Sequence, residues 1–325
     1  MSRAFVTGGS GFVGGRLIER LVGDSWSVAA LARSDRAVEA VGKRGAEPVR
    51  GDLSDPPALA SGLQGADVCF HVAAKVEDFG PWPAFVEVNV EGTRNVLRAC
   101  RTAGVRRAVH VSTEAVLMHG QPLIGADERY PLAFRSPAPY SRSKALAEQV
   151  ALEESRDGLE VMIVRPRFVW GRGDTTLLPL LVEGTRSGAF RWVGGGRQLT
   201  STTHIDNTVE GLLLAAEHGR GGRAYFVTDG APVVFRDFVG ELMSTQGVTP
   251  PTGSVPTPVA RALAAAGETA WKLLPLSGAP PLTRFASWVA SQECTLDDHR
   301  ARVELGYAPV TLREEGMREL RDAVA

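Results

Sequence analysis

Cysteine is scarce: the 325 residues hold three, Cys69, Cys100 and Cys294, with no C-x-x-C pair and no His–Cys cluster. That scarcity excludes a disulfide framework and a cysteine-bound metal, and it fits a reducing compartment. No run of about 18 uncharged apolar residues occurs, so no membrane-spanning helix is expected. Excess charge is also lacking. Thirty-six Lys and Arg balance 37 Asp and Glu, for a net charge of −1, and no basic stripe is concentrated anywhere. A nucleic-acid footprint needs both. The first residues already read as a strand, so no signal peptide is expected ahead of the fold. These absences describe a soluble, cytoplasmic protein without metal or nucleic acid. What is present is a hydrophobic share of 44%, enough to bury the core of one large domain or two linked ones.

The chain is organised around its opening stretch. Ala4 to Val6 reads as a buried strand, a glycine cluster interrupts it, and a helical pattern resumes through Leu17, Ile18 and Leu21. Gly9, Gly11 and Gly14 satisfy G-x-G-x-x-G, and Thr7-Gly8-x-x-Gly11-x-x-Gly14 satisfies a variant of it. Dinucleotide binding needs glycine for a tight turn, for close approach of backbone to pyrophosphate and for helix–strand packing. The helix that follows aims its free N–H groups at the phosphates. Gly8, Gly11, Phe12, Val13 and Gly14 are therefore candidate cofactor contacts.

Strands and helices alternate from there. Ser27 to Ala32 reads as the second strand, and Arg33 follows it, with Arg36 close behind. An acid at this place grips a ribose 2′-hydroxyl, whereas an arginine accommodates a 2′-phosphate. Arg33 thus favours NADP over NAD; the plainer reading is a solvated loop charge. Glu47 to Val49 forms a third strand, after which Asp52 and Leu53 are candidates for the adenine side, or Asp52 simply forms a turn. Ala66 to His71 is the fourth strand, and small residues such as Ala73 at its end let a cofactor lie against the backbone. Trp82 to Ala103 carries helical periodicity with Asn89 inside it, unfavourable unless the amide is used. Arg107 to Ser112 is the fifth strand. Its end, Ser112-Thr113-Glu114-Ala115, falls where open α/β sheets bind ligands. Tyr140 and Lys144 then stand four apart on one helix face. An ammonium beside a phenol lowers its pKa toward working pH, as a proton donor to a developing alkoxide requires.

Together these residues resemble the extended branch of the short-chain dehydrogenase/reductase superfamily. The resemblance rests on Thr7-Gly8-x-x-Gly11-x-x-Gly14, a hydroxyl after the fifth strand, and Tyr140-x-x-x-Lys144. It continues in Val164-Arg165-Pro166-Arg167-Phe168-Val169-Trp170-Gly171, in Thr203-His204-Ile205-Asp206-Asn207 and in Gly222-Arg223-Ala224-Tyr225-Phe226-Val227, so it covers nearly the whole chain. The C-terminal half looks most like the 3β-hydroxysteroid dehydrogenase-like subgroup and its dihydroflavonol-reductase-like relatives.

The resemblance implies an α/β fold: a Rossmann doubly wound parallel sheet with a smaller C-terminal substrate-binding lobe. Residues 1–167 would form the cofactor domain, joined by a returning segment near 198–230, and 168–325 mainly the lobe. Tyr140 would be the general acid/base, and Lys144 would hold the nicotinamide ribose and lower the Tyr140 pKa. Thr113 would bond the substrate carbonyl, with Ser112 the alternative register. Phe168 and Val169 would line the nicotinamide. Asn89 would be structural, and a homodimer would form through the helices bearing Asn89 and Tyr140. Dehydratases of the branch carry two acids after the threonine; here Glu114 is followed by Ala115, which argues against dehydration.

The second half is richer in Gly, Pro and short segments. Gly194 to Gly196 is a flexible loop or a turn between strands. Arg167, Arg172 and Arg197 would contact a substrate phosphate or make surface ion pairs. Val259, Leu263, Ala266, Ala270, Leu273 and Leu274 form one helix face, read as core or substrate lid rather than a membrane-surface helix because its polar face is mixed and sparse. Trp271, Phe285 and Trp288 supply bulky apolar surface. The expected function is a nicotinamide-dependent oxidoreductase, NADP preferred and NAD possible, interconverting a secondary alcohol and a ketone on a bulky, sterol-like substrate. Two alternatives stand beside it: a nucleotide-sugar epimerase retaining NAD, and a non-catalytic NADP-sensing protein.

Overall fold

The computed structural model describes residues 2–274 and 276–324. Seven parallel strands form the main sheet: β1 (Arg3–Thr7), β2 (Ser27–Ala32), β3 (Glu47–Arg50), β4 (Val68–His71), β5 (Arg107–Val111), β6 (Glu160–Pro166) and β7 (Ala224–Val227). Their order is β7-β6-β5-β4-β1-β2-β3, so the winding reverses between β1 and β4. That reversal opens a crevice at the strands' carboxyl ends.

Alternation along β1 shows why both faces are covered. Ala4 and Val6 join a core on one side with Leu17, Ile18 and Leu21 of α1 (Phe12–Gly23). Phe5 faces the other side, where Leu59, Val96, Leu97 and Ala151 meet it. Successive side chains on a strand point to opposite faces, and a sheet buried on both needs apolar residues at every position.

The helix expected over Trp82 to Ala103 comes in three continuous pieces: Trp82–Phe85, a π-helical turn Val86–Glu91, and Gly92–Thr102. Asn89 sits in the π turn, and its amide is fully used. Its Oδ1 accepts from Lys75 N at 2.7 Å, and its Nδ2 donates to Lys75 O and Ser143 Oγ at 3.0 and 2.9 Å.

A second, four-stranded sheet, which takes in Leu123–Ala126 from before β6, forms in the order Val233–Val234, Leu199–Thr200, Cys294–Leu296, Leu123–Ala126. Gly194 to Gly196 make a tight turn between short strands, all three at left-handed φ (59°, 81° and 70°), rather than an open loop. The helices Thr257–Leu273 and Arg284–Ser291 form a hairpin against this lobe. The apolar face read as core or lid is turned outward. Val259, Leu263 and Leu273 are 47%, 60% and 78% exposed, while Ala260, Ala264 and Glu268 face inward. Small residues let the two helices approach closely. Glu268 is tolerated there because its carboxylate accepts from Arg284 N and Nη1, at 2.7 and 2.9 Å. Trp288 is buried beside Gly120, whereas Trp271 donates its indole N–H to Ser277 O on the surface. Among the described residues, no helix is long and apolar enough to cross a membrane.

Candidate active site

Three of the glycines after β1, Gly8, Gly9 and Gly14, have separate steric reasons. Gly8 has φ +72°, and a Cβ there would stand 2.7 Å from Ala73 N. A Cβ on Gly14 would collide with the Gly8 carbonyl, and one on Gly9 would meet Ile18 Cδ1 at 2.6 Å. Gly11 is the N-cap of α1, so no side chain closes the helix end, and the first turn contains no acid. An uncapped N-terminus with free N–H groups, held at the sheet reversal, suits a pyrophosphate. These residues fit a dinucleotide.

Around this loop the structure places the other cofactor candidates. Arg33 is exposed at the end of β2 and, among the described residues, makes no ion pair; the neighbouring Asp35 is engaged by Arg50 instead. Asp52 forms a turn: its Oδ1 accepts from Ser54 N and Oγ, both at 2.7 Å, and these bonds hold its carboxyl below the usual range. Leu53 packs under Gly92. Ala73 N donates to Thr7 Oγ1 at 3.2 Å. Phe12 lies against Gly173. Phe168, at the end of β6, holds a left-handed φ of 47° and meets Phe235 and Phe238 edge-on. Such backbone in a bulky residue is costly and clusters at functional sites. Val169 follows it and pairs with Thr203.

Under the site runs a buried polar chain that sequence reading missed. Thr7 Oγ1 meets His71 Nδ1 at 2.8 Å, and His71 Nε2 meets Thr93 Oγ1 at 2.9 Å. Burial, aided by the charge of Lys144, pushes His71 down to about 3, so it stays neutral.

Tyr140 starts the helix Pro139–Glu154, with Lys144 one turn further. Lys144 reaches down to the carboxyl end of β5, where Nζ donates to Val111 O at 2.8 Å. Burial lowers it to about 8, against an opposing pull from Glu148. The Tyr140 phenol does not follow the expectation of a lowered pKa. Burial first, and the Glu114 charge second, hold it well above its ordinary value; the Thr113 hydroxyl pulls the other way. The physical reason is that burial disfavours the charged phenolate and the Glu114 carboxylate disfavours it further, while Lys144 Nζ is bonded to a backbone carbonyl. Phe285 packs edge-on against the Tyr140 ring, with centroids 5.6 Å apart.

The two hydroxyls after β5 diverge. Ser112 Oγ donates to Glu148 Oε1 at 2.5 Å, and Arg165 grips the same carboxylate through Nε and Nη2 at 2.8 and 2.6 Å. Thr113 caps the short turn Glu114–Leu117 and lies beside Tyr140. Its Oγ1 accepts from Ala115 N at 3.2 Å and donates to Glu114 Oε2 at 2.7 Å. Arg167 Nη1 reaches the other oxygen of Glu114 at 2.5 Å. Arg167 is thus neither a surface charge nor free for a phosphate, and it is only 1% exposed. Arg172 and Arg197 are exposed. His204, Asp206 and Glu319 bring ligand atoms within 4.8 Å of one another, but Asp206 already serves Arg16 at 2.5 Å.

The chain matches the 3-beta hydroxysteroid dehydrogenase/isomerase family over residues 5–257. It belongs to that family. It is 46% identical to the 4-hydroxy-2-methyl-3-oxo-4-farnesyl-3,4-dihydroquinoline-1-oxide ketoreductase of Stigmatella aurantiaca, covering 99% of this chain and 96% of the other. With the 2-alkyl-3-oxoalkanoate reductase of Stenotrophomonas maltophilia it shares 37% identity, over 99% of both chains. A solved structure of a dTDP-glucose 4,6-dehydratase double mutant from Streptomyces venezuelae, with NAD bound, superposes at TM-score 0.77 with 26% identity, covering 98% of this chain and 96% of that one. This family member is a short-chain dehydrogenase/reductase-type oxidoreductase acting on CH–OH groups, and the family uses nicotinamide cofactors.

Two buried ion pairs, Glu148–Arg165 and Glu114–Arg167, were the part of the site that motif reading did not supply. A signal was present. Arg165 and Arg167 flank a proline at the end of an apolar strand run, and charged residues in such a place need buried partners.

Proposed function

We propose that this protein is an NADP-preferring reductase of bulky apolar ketones, in which Tyr140 is the proton donor. One observation carries the reading: the Tyr140 phenol stands beside the Thr113 hydroxyl at the carboxyl end of β5, roofed by Phe285. A nicotinamide, when bound, supplies the hydride to the carbonyl carbon. Tyr140 gives its proton to the carbonyl oxygen, and Thr113 donates a hydrogen bond to the same atom. A phenol is protonated at neutral pH, which is the state a reduction starts from. Lys144 holds the ribose, Phe168 and Val169 the nicotinamide face, and Gly8 to Gly14 the pyrophosphate. Arg33, exposed and without an ion pair among the described residues, supports a 2′-phosphate. Residues 1–167 with the 198–230 segment serve the cofactor, and 168–325 mainly the substrate. Partly buried Phe285, packed against the Tyr140 ring, with relatives named for farnesyl and alkyl ketones, supports a large apolar substrate. We place the protein in the cytoplasm as a homodimer formed through the helices bearing Asn89 and Tyr140.

The test is NADPH oxidation, with NADH in parallel, against 2-alkyl-3-oxoalkanoates and 3-oxosteroids. Turnover that falls about 10³-fold in Tyr140→Phe, with NADPH binding retained, supports the reading. Arg33→Glu is expected to reduce the NADPH:NADH preference roughly 10- to 100-fold. No net turnover, with nicotinamide retained on the purified protein, sends the assignment to an epimerase.

A further inference from the structure

Thr113 has one proton to give, and in this structure it is already given. A carboxylate oxygen only accepts, so the 2.7 Å bond between Thr113 Oγ1 and Glu114 Oε2 uses the hydroxyl's hydrogen. The second Thr113 contact, from Ala115 N, is one in which the oxygen accepts. To bond a ketone oxygen, Thr113 must turn its proton away from Glu114. Glu114 is buried, and leaving one of its oxygens without a donor there is unfavourable.

Arg167 is placed to offset that loss. Its Nη1 holds Glu114 Oε1, its Nε donates to Thr200 Oγ1 at 3.1 Å, and its backbone N donates to Thr203 Oγ1 at 3.1 Å. These bonds fix the residue between the strand end and the lobe sheet. Its remaining nitrogen, Nη2, is buried and, among the described residues, has no hydrogen-bond partner. The two terminal nitrogens of a guanidinium match the two oxygens of a carboxylate. A two-point grip exists next door, through a different pair of nitrogens: Arg165 holds both oxygens of Glu148 with Nε and Nη2 while Ser112 donates to one of them. The Arg167–Glu114 fork is half open, and Thr113 fills the open half.

We propose that Glu114 and Arg167 are a positioning pair for the carbonyl-binding hydroxyl. Glu114 parks the Thr113 proton until a ketone arrives, and Arg167 Nη2 takes over Glu114 Oε2 when Thr113 turns to the substrate. Glu114 is then not a proton donor to substrate, and no covalent bond changes at either residue. The proposal rests on Thr113 as the group that bonds the ketone.

The experiment is a double-mutant cycle in the NADPH-dependent reduction of a 2-alkyl-3-oxoalkanoate, with Thr113→Val, Arg167→Met and the pair combined. Each single variant is expected to lower kcat about 10²-fold, with the NADPH dissociation constant unchanged. The double variant is expected to be no worse than Thr113→Val, because Arg167 acts only through that hydroxyl. Arg167→Lys keeps the charge but offers no fork, and is expected to stay within a few-fold of Arg167→Met; it carries the cycle if the methionine variant does not fold. Losses that multiply in the double variant, or a shift in NADPH affinity, overturn the pair. Full activity in Arg167→Met beside an impaired Thr113→Val overturns the pair alone. Full activity in Thr113→Val overturns the assignment of Thr113 itself.

Discussion

Helix α1 and the helix Thr257–Leu273 carry the same kind of apolar stripe and use it in opposite ways. In α1, Leu17, Ile18 and Leu21 are wholly buried against the main sheet. In Thr257–Leu273, Val259, Leu263 and Leu273 point outward, and the buried stripe is Ala260, Ala264 and Glu268. Periodicity establishes that a helix has two faces; it does not say which one meets the protein. For α1 the sheet beside it decides. For the hairpin helix the decision comes from Arg284, which satisfies Glu268, and from small side chains that let the helices close up.

The sharpest contrast comes from truncating one leucine in each. Leu17→Ala is expected to cost about 2–5 kcal/mol in denaturant unfolding, since the cavity opens in a packed interior. Leu273→Gln sits at the other end of the scale, within about 0.5 kcal/mol of the parent. A loss there comparable to that of Leu17→Ala would break the comparison and show that the outward face is covered in solution.

Between these lies an acid effect confined to the cofactor half. Unfolded, His71 takes up a proton near its ordinary 6.5; folded, it resists until about 3. The unfolded chain therefore binds more protons across that window, so stability falls as pH drops from 6.5 toward 3. The His71 share of the loss is expected to reach about 2 kcal/mol by pH 5, and His71→Gln should make the slope shallower, leaving the part owed to His110 and His204, which burial also holds below 6.5. Unfolding measured at pH 7 and pH 5 checks both. A slope unchanged in the variant would place the acid sensitivity elsewhere.

Much of the main sheet was legible because its signals are local. Glycine at Gly8 and Gly14 is demanded by the backbone itself, and the strands that follow are short apolar runs bounded by turns. Asn89 was legible for a similar reason, since a polar residue in a helix interior needs work for its amide. What escaped was settled by distant partners. Arg167 meets Glu114 across the fold, and His71 is sandwiched between Thr7 and Thr93. The pKa of Tyr140 was misjudged because helical spacing brings Lys144 near in sequence, while burial and Glu114 act on the phenol in space.

The seventh strand has a consequence for how the chain is made. β6 pairs with β7 along Ile163 to Pro166, and β7 is not synthesised until the entire stretch from Arg167 to Arg223 has been translated. Throughout that interval a strand whose residues Val161 to Pro166 are buried in the finished protein stands with one edge unpaired. Such edges recruit other strands. The nascent chain is therefore most prone to aggregate while the segment between β6 and β7 is being translated, and closing the sheet at Val227 ends that exposure.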